Sequence, residues 1–140
     1  MSGMVLDASS VLAWCFEDEG GPEVDALIDR VAAEGAVVPA IWALEVANAL
    51  VVSERRNRIT RDDSAAFIAM IQELPITVDA GTAARAFHET IALARDNDLS
   101  SYDASYLELA ERARLPLVTS DDALRRAAAR RGLSLVEPET

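Results

Sequence analysis

Lysine is absent from this chain: all 13 basic residues among its 140 are arginine. A Walker-type phosphate loop needs its Gly-Lys-Ser/Thr, so that loop is excluded. Phosphoaspartate phosphatases and receiver domains also place an aspartate after a first strand, but they rely on a lysine that this chain does not have. Cysteine is nearly absent. Cys15 stands alone between Trp14 and Phe16, so no internal disulfide can form and a reducing, cytoplasmic compartment is expected. Histidine is equally scarce. His88, in AARAFHETIALARD, has no second imidazole or thiol to complete a zinc site, and acid–base chemistry by a histidine pair is excluded with it. No G-x-S-x-G elbow supports serine catalysis. Long apolar runs are missing as well: AIWALEVANALVV is broken by Glu45 and Asn48 and is too short to span a bilayer. The opening MVLD is not preceded by a charged and apolar leader, so no secretory signal is expected and no membrane partner either.

What is present is apolar and acidic. Hydrophobic residues make up 51% of the chain and charged ones 26%, enough for one core and one domain over residues 1–140. The formal net charge of -11 argues against binding polyanions over the whole surface, because phosphate backbones need a local positive field. The arginines nevertheless cluster, at Arg55, Arg56, Arg58 and Arg61, at Arg112 and Arg114, and at Arg125, Arg126, Arg130 and Arg131. Such clusters either track phosphates locally or solvate helix faces and helix C-termini; both readings stay open at this point.

Strands and helices alternate along the chain. MVLD (4–7) reads as a strand, and PEVDALIDRVAAEG as a helix with Pro22 in its first turn and Gly35 at its stop. A strand over 36–39 precedes helices over 40–55 and 61–74, the second opened by Asp62 and Asp63. Strands over 75–79, 116–120 and 133–137 and helices over 82–96, 101–114 and 122–131 complete the pattern. The expected fold is a three-layer α/β/α arrangement around a central parallel sheet of about five strands.

Four acids stand out against apolar or strand-end surroundings: Asp7 in VLDASSVLAW, Glu45 in AIWALEVANALVV, Asp103 in SSYDASYLELAERA and Asp121 in PLVTSDDALRRAA. Ligands of open α/β sheets bind outside the C-terminal ends of the strands, where Asp7, Asp121 and Asp122 fall. Each acid also has a structural reading. Asp103 and Asp122 sit at capping-box spacing from Ser100 and Thr119, Asp121 can cap its helix, Glu45 can pair with an arginine, and Asp7 can accept N–H bonds from its own turn. Carboxylates that converge without histidine or cysteine suit a hard cation such as Mg²⁺ or Mn²⁺.

The ordered set D-x-S (Asp7, Ser9), LEVANAL (Glu45, Asn48), LSSYDASYLELA (Asp103) and LPLVTSDDAL (Thr119, Asp121) resembles the PIN-domain ribonucleases, in particular the VapC-type toxins of bacterial toxin–antitoxin pairs. The resemblance implies a PIN-like fold in which Asp7, Glu45, Asp103 and Asp121 hold Mg²⁺ or Mn²⁺, with Asp122 a further candidate ligand. It implies metal-dependent hydrolysis of RNA phosphodiesters, a cognate antitoxin as partner, and a homodimer. Ser9, Asn48 and Thr119 are candidates to position water or phosphate, and Arg55, Arg56 and Arg58 to bind RNA. Tyr102 and Tyr106 flank Asp103 and either stack on an unpaired base or fill the core. Two other readings stand beside the toxin: a PIN-type nuclease of RNA processing, and a catalytically silent PIN-like interaction module.

Overall fold

The computed structural model describes residues 3–16 and 19–136. The chain runs β1 (Val5–Leu6), α1 (Ala8–Leu12), α2 (Pro22–Glu34), β2 (Ala36–Val38), α3 (Trp42–Arg55), α4 (Arg61–Gln72) and β3 (Ile76–Val78), then α5 (Thr82–Arg85), a π-helical turn (Ala86–Thr90), α6 (Ile91–Asn97), α7 (Ser101–Ala113), β4 (Leu117–Val118) and α8 (Asp122–Arg130). Local signals explain most of these bounds. Pro22 opens α2, and Gly35, at φ 81° and with its N–H on the Val31 carbonyl, closes it in a backbone conformation that a side chain disfavours. A reciprocal capping box opens α4: Thr60 Oγ1 accepts from Asp63 N at 3.1 Å, and Asp63 Oδ2 accepts from Thr60 N at 2.9 Å.

The strands form one parallel sheet in the order β3-β2-β1-β4. The chain steps from β1 to β2 to β3 in one direction, then returns past both to place β4 on the other side of β1. Right-handed crossovers taken in opposite directions put their helices on opposite faces of the sheet, which gives the three layers. The reversal makes the β1/β4 boundary the switch point, where a crevice opens beyond the strand ends. The core lies on both sides of β1, with Met4, Val5, Leu6, Leu107, Leu117 and Leu124 fully buried. In α7, Ala104 to Ala110 are buried without a break, because β1, β4, α6, the π-turn and α8 all pack against it.

Three features depart from the sequence reading. The expected fifth strand, 133–137, is reduced to a single parallel bridge between Leu117 and Leu135, and Glu137 lies outside the described residues. ASSVL after Asp7 is a short helix that the apolar run concealed. The expected helix over 82–96 is three pieces joined through the π-turn. β3 is also half-open: Val78 is 52% exposed, whereas strands inside a parallel sheet are covered on both faces.

Candidate functional site

β1 carries Asp7 to the switch point and β4 carries Thr119 beside it. Asp7 takes the N-cap position of α1 with extended backbone, yet its side chain makes no capping bond. Its carboxylate is 5% exposed and accepts two hydroxyl bonds on Oδ2, from Thr119 Oγ1 at 2.6 Å and from Ser9 Oγ at 2.8 Å. Asp7 is therefore not held by N–H bonds of its own turn. Thr119 works in two directions: its hydroxyl donates to Asp7 and accepts the Asp121 N–H at 3.0 Å. One threonine thus fixes the two strand-end acids relative to each other. Ser120 Oγ lies 3.1 Å from Ser9 Oγ and closes the same edge.

The helices bring the other two acids. Glu45, half-buried on α3, accepts at Oε1 from the Tyr106 hydroxyl on α7 at 2.5 Å. Its carboxyl is pushed above the usual range by burial, against the Tyr106 bond that lowers it, and is raised further by the charges of Asp7 and Asp103. Asp103 stands at the third position of α7, where its N–H donates to the capping Ser100 Oγ at 3.1 Å. Burial raises its carboxyl too, followed by the charges of Asp121 and Asp7, while the Ser100 hydroxyl lowers it. Asp121 caps α8, accepting the Leu124 N–H at Oδ2 at 2.8 Å. That bond uses one carboxylate oxygen, and the charge still reaches Asp103. The charges of Asp7 and Asp103 thus act on Glu45, and those of Asp121 and Asp7 on Asp103, which ties the four acids to one crevice.

The remaining sequence candidates divide. Ser9 and Thr119 belong to the cluster. Asn48 is exposed one turn along α3 from Glu45, and Asp122 is exposed in the first turn of α8. Arg55 and Arg56 are exposed where α3 ends, about 15 Å along the helix axis from Glu45. Arg58 is engaged elsewhere: it bonds Glu19 Oε2 at 2.7 Å and lies 3.8 Å over the Phe16 ring, pinning the segment after α1 to the α3–α4 turn. Tyr102 is 60% exposed, but Tyr106 is fully buried and has no face for a base.

Sequence reasoning missed two partnerships. Tyr106 was read only as core or as a stacking face, although its i+3 spacing from Asp103 places both on one side of α7. Asp79, after β3, is clamped by Arg112 of α7 at 2.6 Å and 3.1 Å, and Arg112 also bonds the buried Glu108 at 2.9 Å and 3.0 Å. No local pattern signals a contact 33 residues apart. Beside the acids, a cavity of about 460 Å³ shares Thr119 and Ser120 with the cluster and has Trp14, Leu27, Asp122 and Val136 among its walls.

Among the described residues, no three acidic, histidine or cysteine side chains stand together closely enough to hold a metal ion by themselves. A small hard cation does not require such a set. Mg²⁺ keeps several waters and is usually held by one or two carboxylates together with substrate phosphate. The donors here are oxygen alone, and their mutual repulsion is of the kind a cation relieves, so the residues fit Mg²⁺ or Mn²⁺ and do not fit zinc.

Residues 4–130 match the PIN domain family. Among solved structures, PAE2754 from Pyrobaculum aerophilum is 25% identical, with a TM-score of 0.66, 90% of this chain and 86% of that chain being covered. A toxin–antitoxin complex from Klebsiella pneumoniae is 16% identical, with a TM-score of 0.62 and coverage of 97% and 98%. FitAcB from Neisseria gonorrhoeae is 18% identical, with a TM-score of 0.58 and coverage of 96% and 97%. The last two are likenesses of fold. A comparison with curated proteins gives no match.

Proposed function

This chain belongs to the PIN domain family, a nuclease fold, and from that premise we propose that it is a metal-dependent endoribonuclease acting as the toxin of a toxin–antitoxin pair. What carries the proposal is the linkage of the acids around the switch point of the sheet, where Thr119 joins Asp7 to Asp121 and Tyr106, one turn from Asp103, holds Glu45. These four hold Mg²⁺ or Mn²⁺, and Asp122 stands at their edge. When bound, the cation supplies an acidified water and polarises the scissile phosphate. The protein's own groups do the rest. Thr119 and Ser9 keep Asp7 aimed by engaging Oδ2 alone, these two hydroxyls and Asn48 help to position water or phosphate, and the four acids repel the substrate phosphate until the cation is in place.

The toxin role is supported by the likeness to the Klebsiella complex and by the chain's own surface. An anionic crevice is readily blocked by an arginine fork, so the antitoxin is a peptide with a basic segment lying across it. RNA approaches as a single strand or loop, with Tyr102 free to stack on a base and the cavity walled by Trp14 open to another. Leu44, Val51 and Ile68 are 68%, 40% and 39% exposed on α3 and α4, and it is through these apolar side chains that two copies pair. No helix among the described residues is long and apolar enough to cross a membrane.

The test is cleavage of an RNA panel by the purified chain. Activity with Mg²⁺ or Mn²⁺, lost in chelator and leaving 5′-phosphate ends, is the expected result. Cleavage that survives chelator and leaves cyclic phosphates would overturn the reading.

A further inference from the structure

One fully buried phenol touches three of the four elements that carry the acids. Tyr106 sits on α7 three residues after Asp103, its hydroxyl donates to Glu45 Oε1 on α3 at 2.5 Å, and the Ala8 backbone N–H, next in the chain to Asp7, approaches the phenol oxygen. The ring cannot move without disturbing the core around it, since Ala104 to Ala110 are all buried. The hydroxyl is therefore a fixed point, and Glu45, on a long flexible stem, is the part that is held.

We propose that Tyr106 is a positioning residue: by gripping Glu45 through Oε1 beside the Asp7 turn, it fixes the separation of Asp7 and Glu45 and sets how tightly the site holds its cation. The inference rests on the metal-nuclease reading above. Geometry gives it content. With Oε1 engaged, Oε2 is the oxygen left to face the crevice, and the carboxylate cannot swing out to solvent as a half-exposed glutamate otherwise does. Partners standing behind metal ligands commonly govern affinity by about 10- to 100-fold.

The experiment compares wild type, Tyr106→Phe, Glu45→Gln and the double variant. Two quantities are read: the Mg²⁺ concentration giving half of the cation-induced rise in melting temperature, and the Mg²⁺ concentration giving half-maximal RNA cleavage. Tyr106→Phe keeps the ring, so it is expected to raise both by about tenfold while cleavage at saturating Mg²⁺ falls only about twofold. In the Glu45→Gln background the same change is expected to shift the melting half-point no further, because the phenol acts through that carboxylate. A purely structural tyrosine would lower the metal-free melting temperature and leave both half-points unchanged, which overturns the inference. Equal shifts in the two backgrounds overturn it as well. A wild type whose melting responds to Mg²⁺ but whose RNA cleavage does not would sink the nuclease reading alone, since the melting half-points still test Tyr106.

Discussion

Burying a carboxylate demands donors or a cation, and Asp7 has two hydroxyls on one oxygen while its charge raises the Glu45 and Asp103 carboxyls. Those two facts pull in opposite directions when Asp7 is changed. Asparagine keeps an acceptor for Ser9 and Thr119 and removes the charge that raises Glu45 and Asp103. Asp7→Asn is thus expected to leave metal-free stability unchanged or higher by about 1 kcal/mol, to abolish cleavage, and to gain less than wild type from excess Mg²⁺. Thermal melts of both proteins in chelator and in Mg²⁺ decide the matter; a clear loss of stability in chelator would make Asp7 a structural acceptor.

Between elements, arginine has two separate employments. Arg112 ties α7 to the end of β3, and its guanidinium holds the Asp79 carboxyl below the usual range. A carboxyl whose folded pKa is depressed contributes stability above its unfolded pKa of about 3.9, and that contribution is lost as pH falls through the lower folded value. Asp79→Asn is accordingly expected to cost about 2 kcal/mol near neutral pH and to flatten the acid limb of stability against pH below about 4, as read by denaturant melts. A parallel offset with an unchanged acid limb would refute it. The α3 terminus is the other case. Arg55 and Arg56 are exposed there while Arg58 is bound to Glu19 and Phe16. Replacing Arg55 and Arg56 with glutamine is expected to weaken RNA binding and reduce its salt slope by about 1 to 2. Arg58→Ala is expected to register mainly in stability, by about 1 kcal/mol. An unaltered slope in the first variant would return both arginines to the role of solvated helix ends.

For the molecule as a whole, charge and apolar surface set opposite tendencies. A net charge of -11 opposes the proposed pairing of two copies, while the exposed Leu44, Val51 and Ile68 are the apolar side chains that would favour it. Apolar contact is short-ranged and outlasts screening, so pairing is expected to strengthen as salt rises. Leu44→Glu adds a charge at the most exposed of the three and is expected to yield a monomer by sedimentation or light scattering, with the circular dichroism spectrum unchanged. A wild type that stays monomeric at high salt and high concentration would remove the dimer.

The sequence by itself determined the alternation of strands and helices, because periodicity, Pro22, Gly35 and the acids Asp62 and Asp63 are local signals that local physics obeys. It also singled out the four acids, since a carboxylate inside an apolar run or after a buried strand is costly wherever the chain goes. The splitting of 82–96 by a π-turn and the shrinking of the last strand to one bridge at Leu135 escaped it: a π-turn and a helix share nearly the same spacing, and a strand exists only where a neighbour pairs with it. The site's internal bonds belonged to the tertiary structure alone. Thr119 reaches Asp7 across 112 residues and Tyr106 reaches Glu45 across 61, and such contacts are decided by the strand order that puts β4 beside β1 and by the burial of α7 against both. Composition could say that these acids needed partners; only the packing of the sheet could say which hydroxyls those partners are.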